Sequence, residues 1–360
     1  MNIFNVGAWR PTNGKLRTGR LSAASDLVAR TLSAHGLQPP ARPQTQSPQQ
    51  TMSSLLAAIT QARDPSAAPV GPLPSGAAFR SGQFSCKVGS RNYRAYVPSN
   101  AAQGVTGVVV MLHGCTQTPE DFAIGTGMNA LADKLGFVVV YPHQSRGDNA
   151  QSCWNWFSRG DQRRDRGEPA ILAGLTRDIM TEYEIPPQRT FVAGLSAGAA
   201  MAVILGQTYP DIFSAIGAHS GLPFGAANDV PSAFAAMGGN ALNTPAPTPQ
   251  NNAVRAIVFH GSADSVVHPS NGDRILQDAL HCTTGQTIET KEESTASNRR
   301  FTRSIASHPD GATAVEHWRI EGLGHAWSGG DPKGTYTDAS GPDASAEMIL
   351  FFFEPDTKDL

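Results

Sequence analysis

From residue 91 onward, short apolar runs alternate with stretches of helical periodicity. RNYRAYVP (91–98) alternates apolar and polar positions and predicts an edge strand, whereas the continuously apolar GVVVMLHG (107–114) predicts a buried one. A helix over Met128–Leu135, strand GFVVVYP (136–142), helix Ala170–Tyr183 and strand RTFVAGLS (189–196) follow. Next come helix Ala197–Thr208, strands SAIGAHS (214–220) and AVRAIVFHG (253–261), helix Asn271–Leu280 and strand VEHWRIEG (315–322). A closing amphipathic segment, Ala344–Phe353, is expected to pack on the sheet. Buried strands alternating with helices predict an α/β fold, a mostly parallel central sheet with helices on both faces.

The pattern upstream is different. LSAASDLVARTLSAH places Leu21, Ala24, Val28 and Leu32 near one helical face, with Gly36 as the stop. The segments LQPPARPQTQSPQQ and DPSAAPVGPLPSGAA flank a short helical pattern around Met52–Arg63 and hold too few apolar residues to order themselves. Three parts are therefore expected: a helical extension over 1–35, a linker over 36–78 and the folded domain over 79–360, the extension as a whole being largely flexible.

Composition narrows the partners. The chain has 360 residues, 40% hydrophobic and 16% charged, which is a globular and loop-rich balance. A net charge of −2 recommends no nucleic-acid partner. No apolar run approaches the ~20 residues that a membrane span needs. The first twenty residues lack the apolar core of a secretory signal. Either the protein stays in the cytoplasm, or the chain lacks its native leader or leaves by another route. Cys86, Cys115, Cys153 and Cys282 form no CxxC pair and no metal-like spacing, leaving buried thiols or two disulfides as the readings.

The sharpest chemical signal is Gly194-Leu195-Ser196-Ala197-Gly198, set between the strand TFVAG and the helix AGAAMAVILGQT. A sharp strand-to-helix turn leaves no room for side chains two positions either side of its centre, hence the two glycines. The turn lifts the serine hydroxyl above the sheet and aims a helix N-terminus at developing negative charge. A serine needs a base to take its proton, and the base needs an orienting acid. In the order Ser, acid, His, the candidates are Asp264 in IVFHGSADSVV and His325 in WRIEGLGHAW, both just past strands.

The competitors fit less well. Asp273 is expected on a helix surface and Asp211 at the wrong end of the serine helix. His219 precedes the acid, and His260 reads as a packed, hydrogen-bonded core histidine. His268 is expected to line the site from a loop. For an oxyanion, the amide of Ala197 is one donor; the loop HGCTQT (113–118) supplies the other, from Cys115 or, failing that, Thr116. Core packing accounts for most tryptophans, but Trp327, two residues after His325, and one of Trp154 or Trp156 in CWNWF are expected to give a hydrophobic substrate wall.

VVMLHGCTQTPEDFA, CWNWF, GLSAGAAMA, HGSADSVVHPSN and GLGHAWSGG together resemble the poly(3-hydroxybutyrate) depolymerase family of esterases, which is related to feruloyl and acetyl xylan esterases. The resemblance covers roughly residues 80–355. It implies an α/β-hydrolase fold, a Ser196–Asp264–His325 triad and Cys115 as the second oxyanion donor. It also implies a Cys115–Cys153 disulfide, which leaves Cys86–Cys282 as the second pair, and an extracellular or periplasmic location. The family's extracellular members usually carry a signal peptide, a linker and a polymer-binding domain that this sequence does not show. Short oligomers, amorphous polymer or another ester are thus expected substrates, ahead of crystalline polymer.

The expected activity is hydrolysis of short-chain polyhydroxyalkanoate, poly(3-hydroxybutyrate) or its oligomers, with no metal or organic cofactor. A feruloyl or acetyl xylan esterase is the alternative within the same chemistry. A peptidase needs only a different pocket. A non-catalytic polymer-binding protein is the rival from another class, and the ordered triad argues against it.

Overall fold

Valines and leucines that face both ways along a strand need cover on both sides, and the chain supplies it in two layers. The computed structural model describes residues 72–242, 254–283 and 288–353, apart from the side chain of residue 288. The expected helices at 21–35 and 52–63, and nearly all of the 36–78 linker, lie outside the described residues.

In chain order the strands are β1 (Ala78–Cys86), β2 (Gly89–Val97), β3 (Val108–Leu112), β4 (Val138–Pro142), β5 (Thr190–Leu195), β6 (Ala215–His219) and β7 (Arg255–Gly261). They continue with β8 (Ile288–Ala296), β9 (Arg299–Ser307), β10 (Thr313–Ile320) and the short pair β11 (Trp327–Ser328) and β12 (Thr337–Asp338). The helices are α1 (Pro119–Thr126), α2 (Met128–Leu135), α3 (Gly167–Glu182), α4 (Ala197–Thr208), α5 (Val230–Met237), α6 (Ser270–Cys282) and α7 (Ala344–Phe352).

The main sheet runs β1-β2-β4-β3-β5-β6-β7-β10-β9-β8. Its middle, β4-β3-β5-β6-β7-β10, is parallel, and antiparallel pairs close both sides. The two-residue period of a strand divides β3 between two cores. Val108, Val110 and Leu112 pack with Leu172, Leu175 and Ile179 of α3 and with the apolar α4. Val109 and Met111 join Phe122, Ala132, Met348 and Phe352 on the opposite face. No helix among the described residues is long and apolar enough to cross a membrane.

One expectation about the sheet margins is corrected. Segment 91–98 is not an edge strand, because β1 pairs along all of β2 and covers it. On the other side of the sheet, β10 is followed outward by β9 and β8. The β8–β9 hairpin turns through Ser297 and Asn298, both at positive φ (43° and 69°), the backbone of a tight two-residue turn. Strand β8 reads IETKEESTA, with no apolar alternation to announce it. Helices α1 and α5 were also not anticipated.

Candidate active site

Strand β5 runs into α4 through Ser196, which sits at φ 57° and ψ −119°, a conformation that a non-glycine residue rarely adopts. Both flanking glycines are required by space. A Cβ on Gly194 would lie 2.5 Å from the Gly198 carbonyl carbon, and one on Gly198 would run into the carbonyl oxygen of Leu112. The end of β3 and the start of α4 thus touch backbone to backbone, which presses the 113–117 loop against the serine turn. Gly198→Ala should cost about 1–3 kcal/mol through this overpacking. A urea titration against the parent checks that, and an unchanged midpoint refutes the backbone contact.

Asp264 and His325 meet. His325 Nδ1 donates to Asp264 Oδ2 at 2.8 Å. The other carboxylate oxygen accepts the Val266 and Val267 amides at 3.0 and 2.9 Å. Burial pushes the Asp264 carboxyl up, but the His325 hydrogen bond and charge and the Val267 amide outweigh it and hold it at about 2. Since a carboxylate can only accept, His325 carries a proton on Nδ1, and in the neutral imidazole that tautomer leaves Nε2 as the acceptor. The two loops are stitched together, with the Ser262 amide on Ile320 O and the Ala263 amide on Leu323 O.

His219 links this pair to the serine turn. Its carbonyl accepts the Ser196 amide at 2.9 Å, and its ring is close enough to sense the charges of His260, His325 and Asp264. Fully buried, the ring accepts the Ser328 amide on Nε2 and stacks on Phe259 and Trp327. Burial first, then those neighbouring histidines, lower its pKa to about 3, so it is a neutral structural group. His260 is buried, as expected, and its Nε2–H donates to Val267 O at 2.8 Å, which braces the Asp264 loop.

The expected oxyanion amides, Cys115 and Ala197, flank the same turn, and neither is taken by a protein acceptor among the described residues. The Thr116 amide is taken: it donates to Gln151 O at 2.8 Å. That leaves Cys115 the better-placed donor of the two considered in this loop.

Two expectations do not survive, the tryptophan wall and the second disulfide. Trp154 and Trp327 are 0% and 1% exposed and Trp156 is 6% exposed, so none offers a face to a substrate. Their indole N–H groups explain why two of them sit inside: Trp154 donates to His113 O and Trp327 to Ser345 Oγ. His268 is exposed at the start of α6, with Nδ1 on Ser270 Oγ at 2.8 Å and its ring beside Gly239. Cys115 and Cys153 are joined by a disulfide, but Cys86 and Cys282 are not joined to each other. Cys86 ends β1 in an exposed position while Cys282 is a buried thiol at the end of α6, its pKa raised by burial. Thiol titration of the denatured, unreduced chain should therefore count two thiols, and four after reduction.

Sequence reasoning also missed Tyr336. Its hydroxyl lies 3.1 Å from Thr116 Oγ1 and its carbonyl accepts the Trp327 amide, so it ties the His325 loop to the 113–117 loop. It sits at φ 53° in an irregular stretch, GDPKGTYTD, with no periodicity to mark it.

Residues 91–293 match the family model described as esterase PHB depolymerase. Poly(3-hydroxyalkanoate) depolymerase C of Paucimonas lemoignei is 31% identical over 257 residues, covering 67% of this chain and 60% of that protein. The chain belongs to the esterase PHB depolymerase family. The family member described here is also 30% identical to the probable acetylxylan esterase A of Aspergillus fumigatus over 192 residues, 49% of this chain and 51% of the other. It thus spans 60% and 51% of the lengths of these two relatives. The acetyl xylan esterase from Aspergillus awamori superposes with a TM-score of 0.58 at 19% identity, covering 73% of this chain and 93% of the other. That likeness gives this family member the α/β-hydrolase fold.

Proposed function

We propose that the protein is a serine esterase that hydrolyses short-chain polyhydroxyalkanoate, poly(3-hydroxybutyrate) or its oligomers, through an acyl-enzyme. The observation that carries this reading is the 2.8 Å His325–Asp264 hydrogen bond on the rim where Ser196 occupies its strained turn. Membership of the esterase PHB depolymerase family supports the polyester substrate.

In the reaction, Ser196 Oγ attacks the ester carbonyl while His325 Nε2 takes its proton. Asp264 keeps the imidazole in that tautomer and stabilises the imidazolium. The amides of Ala197 and Cys115 receive the oxyanion, and His325 then protonates the departing alcohol. Water repeats the cycle on the acyl-enzyme and releases the hydroxy acid.

Acetylated xylan is the second reading, favoured by the 30% identity to an acetylxylan esterase. The two are separated by incubating the protein with amorphous poly(3-hydroxybutyrate), acetylated xylan and methyl ferulate in parallel. Hydroxybutyrate monomer or dimer is the expected product. Acetate or ferulate release without hydroxybutyrate would move the substrate to plant esters, and retention on polymer without any hydrolysis would favour a binding protein. The Cys115–Cys153 disulfide supports an oxidising, extracellular or periplasmic location.

A further inference from the structure

Glu168, near the start of α3, is a carboxylate buried among donors. It is 5% exposed and accepts the Asn155 amide at 2.8 Å, Asn155 Nδ2 at 2.7 Å, Gln144 Nε2 at 2.6 Å and Arg91 Nη2 at 3.1 Å. The four donors come from three separate places in the chain, Arg91 of β2, Gln144 in the loop after β4 and Asn155 in the tryptophan loop, and Arg91 is itself paired with Asp148. Burial and then the nearby Asp161 carboxylate work against these donors and raise the Glu168 pKa to about 7. None of these groups touches Ser196, Asp264 or His325, and the proposed reaction uses none of them.

The connection to chemistry runs through Gln144. Its side-chain NH2 spends one hydrogen on Glu168 and the other on Cys153 O at 2.9 Å. Its Oε1 is left buried and unpartnered, because the reverse orientation would set a carbonyl oxygen against the Glu168 carboxylate. The backbone amide of Gln144 donates to His113 Nε2 at 3.1 Å. An amide N–H can only donate, so that nitrogen is bare and His113 carries its proton on Nδ1, which donates to Gly114 O at 2.8 Å. The His113 ring is fully buried, and burial, well ahead of its other influences, lowers its pKa to about 4, consistent with this neutral tautomer.

The Gly114 carbonyl and the Cys115 N–H belong to one planar trans peptide and point in opposite directions. Whatever fixes the carbonyl oxygen therefore aims the amide. A donor on that oxygen also polarises the peptide and makes the N–H at its other end a stronger donor. The second route reaches the same residue: Glu168 holds Asn155, two positions from Cys153, and Cys153 is bonded to Cys115. We propose that Glu168 is a positioning residue for oxyanion stabilisation, holding the Gly114–Cys115 peptide through the Gln144–His113 relay and the Asn155–Cys153 segment. The proposal rests on the reading that Cys115 N–H is an oxyanion donor.

The test compares the parent with Glu168→Gln and with Gln144→Leu, which leaves Glu168 three of its donors. Turnover of p-nitrophenyl butyrate is measured together with inhibition by a short alkyl boronic acid, whose serine adduct places an oxygen in the oxyanion site. Thermal melts and an active-site count keep unfolding out of the comparison. Both variants should lose kcat by about 10- to 100-fold, less than the ~10²–10³ for outright loss of one donor. KM should stay within about twofold, and boronate affinity should weaken by the same factor as kcat, since both report the oxyanion. A fully folded variant with parental kcat overturns the proposal, as does a kcat loss with undiminished boronate affinity. If Glu168→Gln fails to fold, Gln144→Leu decides alone by the same criteria. Absence of esterase activity in the parent, or its survival in Ser196→Ala, is a failure of the esterase reading itself and is recognised before either relay variant is made.

Discussion

Ser196→Ala should fold as the parent does and lose about 10⁶-fold in kcat toward esters, the scale seen when the nucleophile of a serine hydrolase is removed. The size follows from what the residue does. Without Oγ there is no acyl-enzyme, and what remains is water attacking a substrate held between the two amides. The fold has little reason to object: Ser196 Oγ makes no hydrogen bond to another described residue, and alanine keeps the same Cβ in the same turn. Active-site titration with a chromogenic ester and a thermal melt check both halves. A kcat within tenfold of the parent would place the nucleophile elsewhere.

Asp264→Asn is the more informative variant, with an expected loss of about 10⁴-fold in kcat at neutral pH. The reason is tautomeric. Oδ1 of residue 264 faces two backbone donors, Val266 N–H and Val267 N–H, so an asparagine must turn its own oxygen toward them. Its NH2 then faces His325 Nδ1 and demands an acceptor there, which moves the ring proton to Nε2 and disarms the base. Stability should respond to pH as well. The folded pKa of Asp264 is depressed, from 3.8 to about 2, so its contribution is present above pH 3.8 and lost as pH falls toward 2. Melting temperature against pH should show the parent losing this increment between about pH 4 and 2, and Asp264→Asn should lack that part of the acid limb. Equal acid limbs would mean that the carboxylate is not charged in the folded protein.

Much of the fold was legible along the chain because its signals are local. The strands β3, β4, β5, β6 and β7 are dense apolar runs between turn residues, and α4 begins where the glycines of the serine turn demand. Helix α2 runs over Met128–Leu135 and α4 over Ala197–Thr208, both as read from periodicity. The elements that escaped are those without a local pattern. Strand β8 is polar between its end residues Ile288 and Ala296 and exists because β9 offers it a hydrogen-bonding edge. Strand β1 alternates only weakly, with five of its nine positions exposed and none fully buried, and its hydrogen bonds to β2 hold it in the sheet.

The sequence by itself determined the α/β succession of strands and helices, the serine turn, and the order in which acid and base follow it. Each of these is written in residues close together, where a glycine pair or an apolar run acts on its own neighbours. Tertiary structure alone decided the rest. Along the chain Trp327 and one of Trp154 or Trp156 read as a substrate wall, and only the packing that gives two of the three N–H groups buried acceptors places all three inside. Four cysteines allow several pairings, and the approach of the 113–117 loop to the tryptophan loop selected Cys115–Cys153 and left Cys86 and Cys282 in different settings. Glu168 carries no motif at all. Its role comes from donors at positions 91, 144 and 155, which only the folded chain brings to one carboxylate, because hydrogen bonds are set by distance in space and not by distance in sequence.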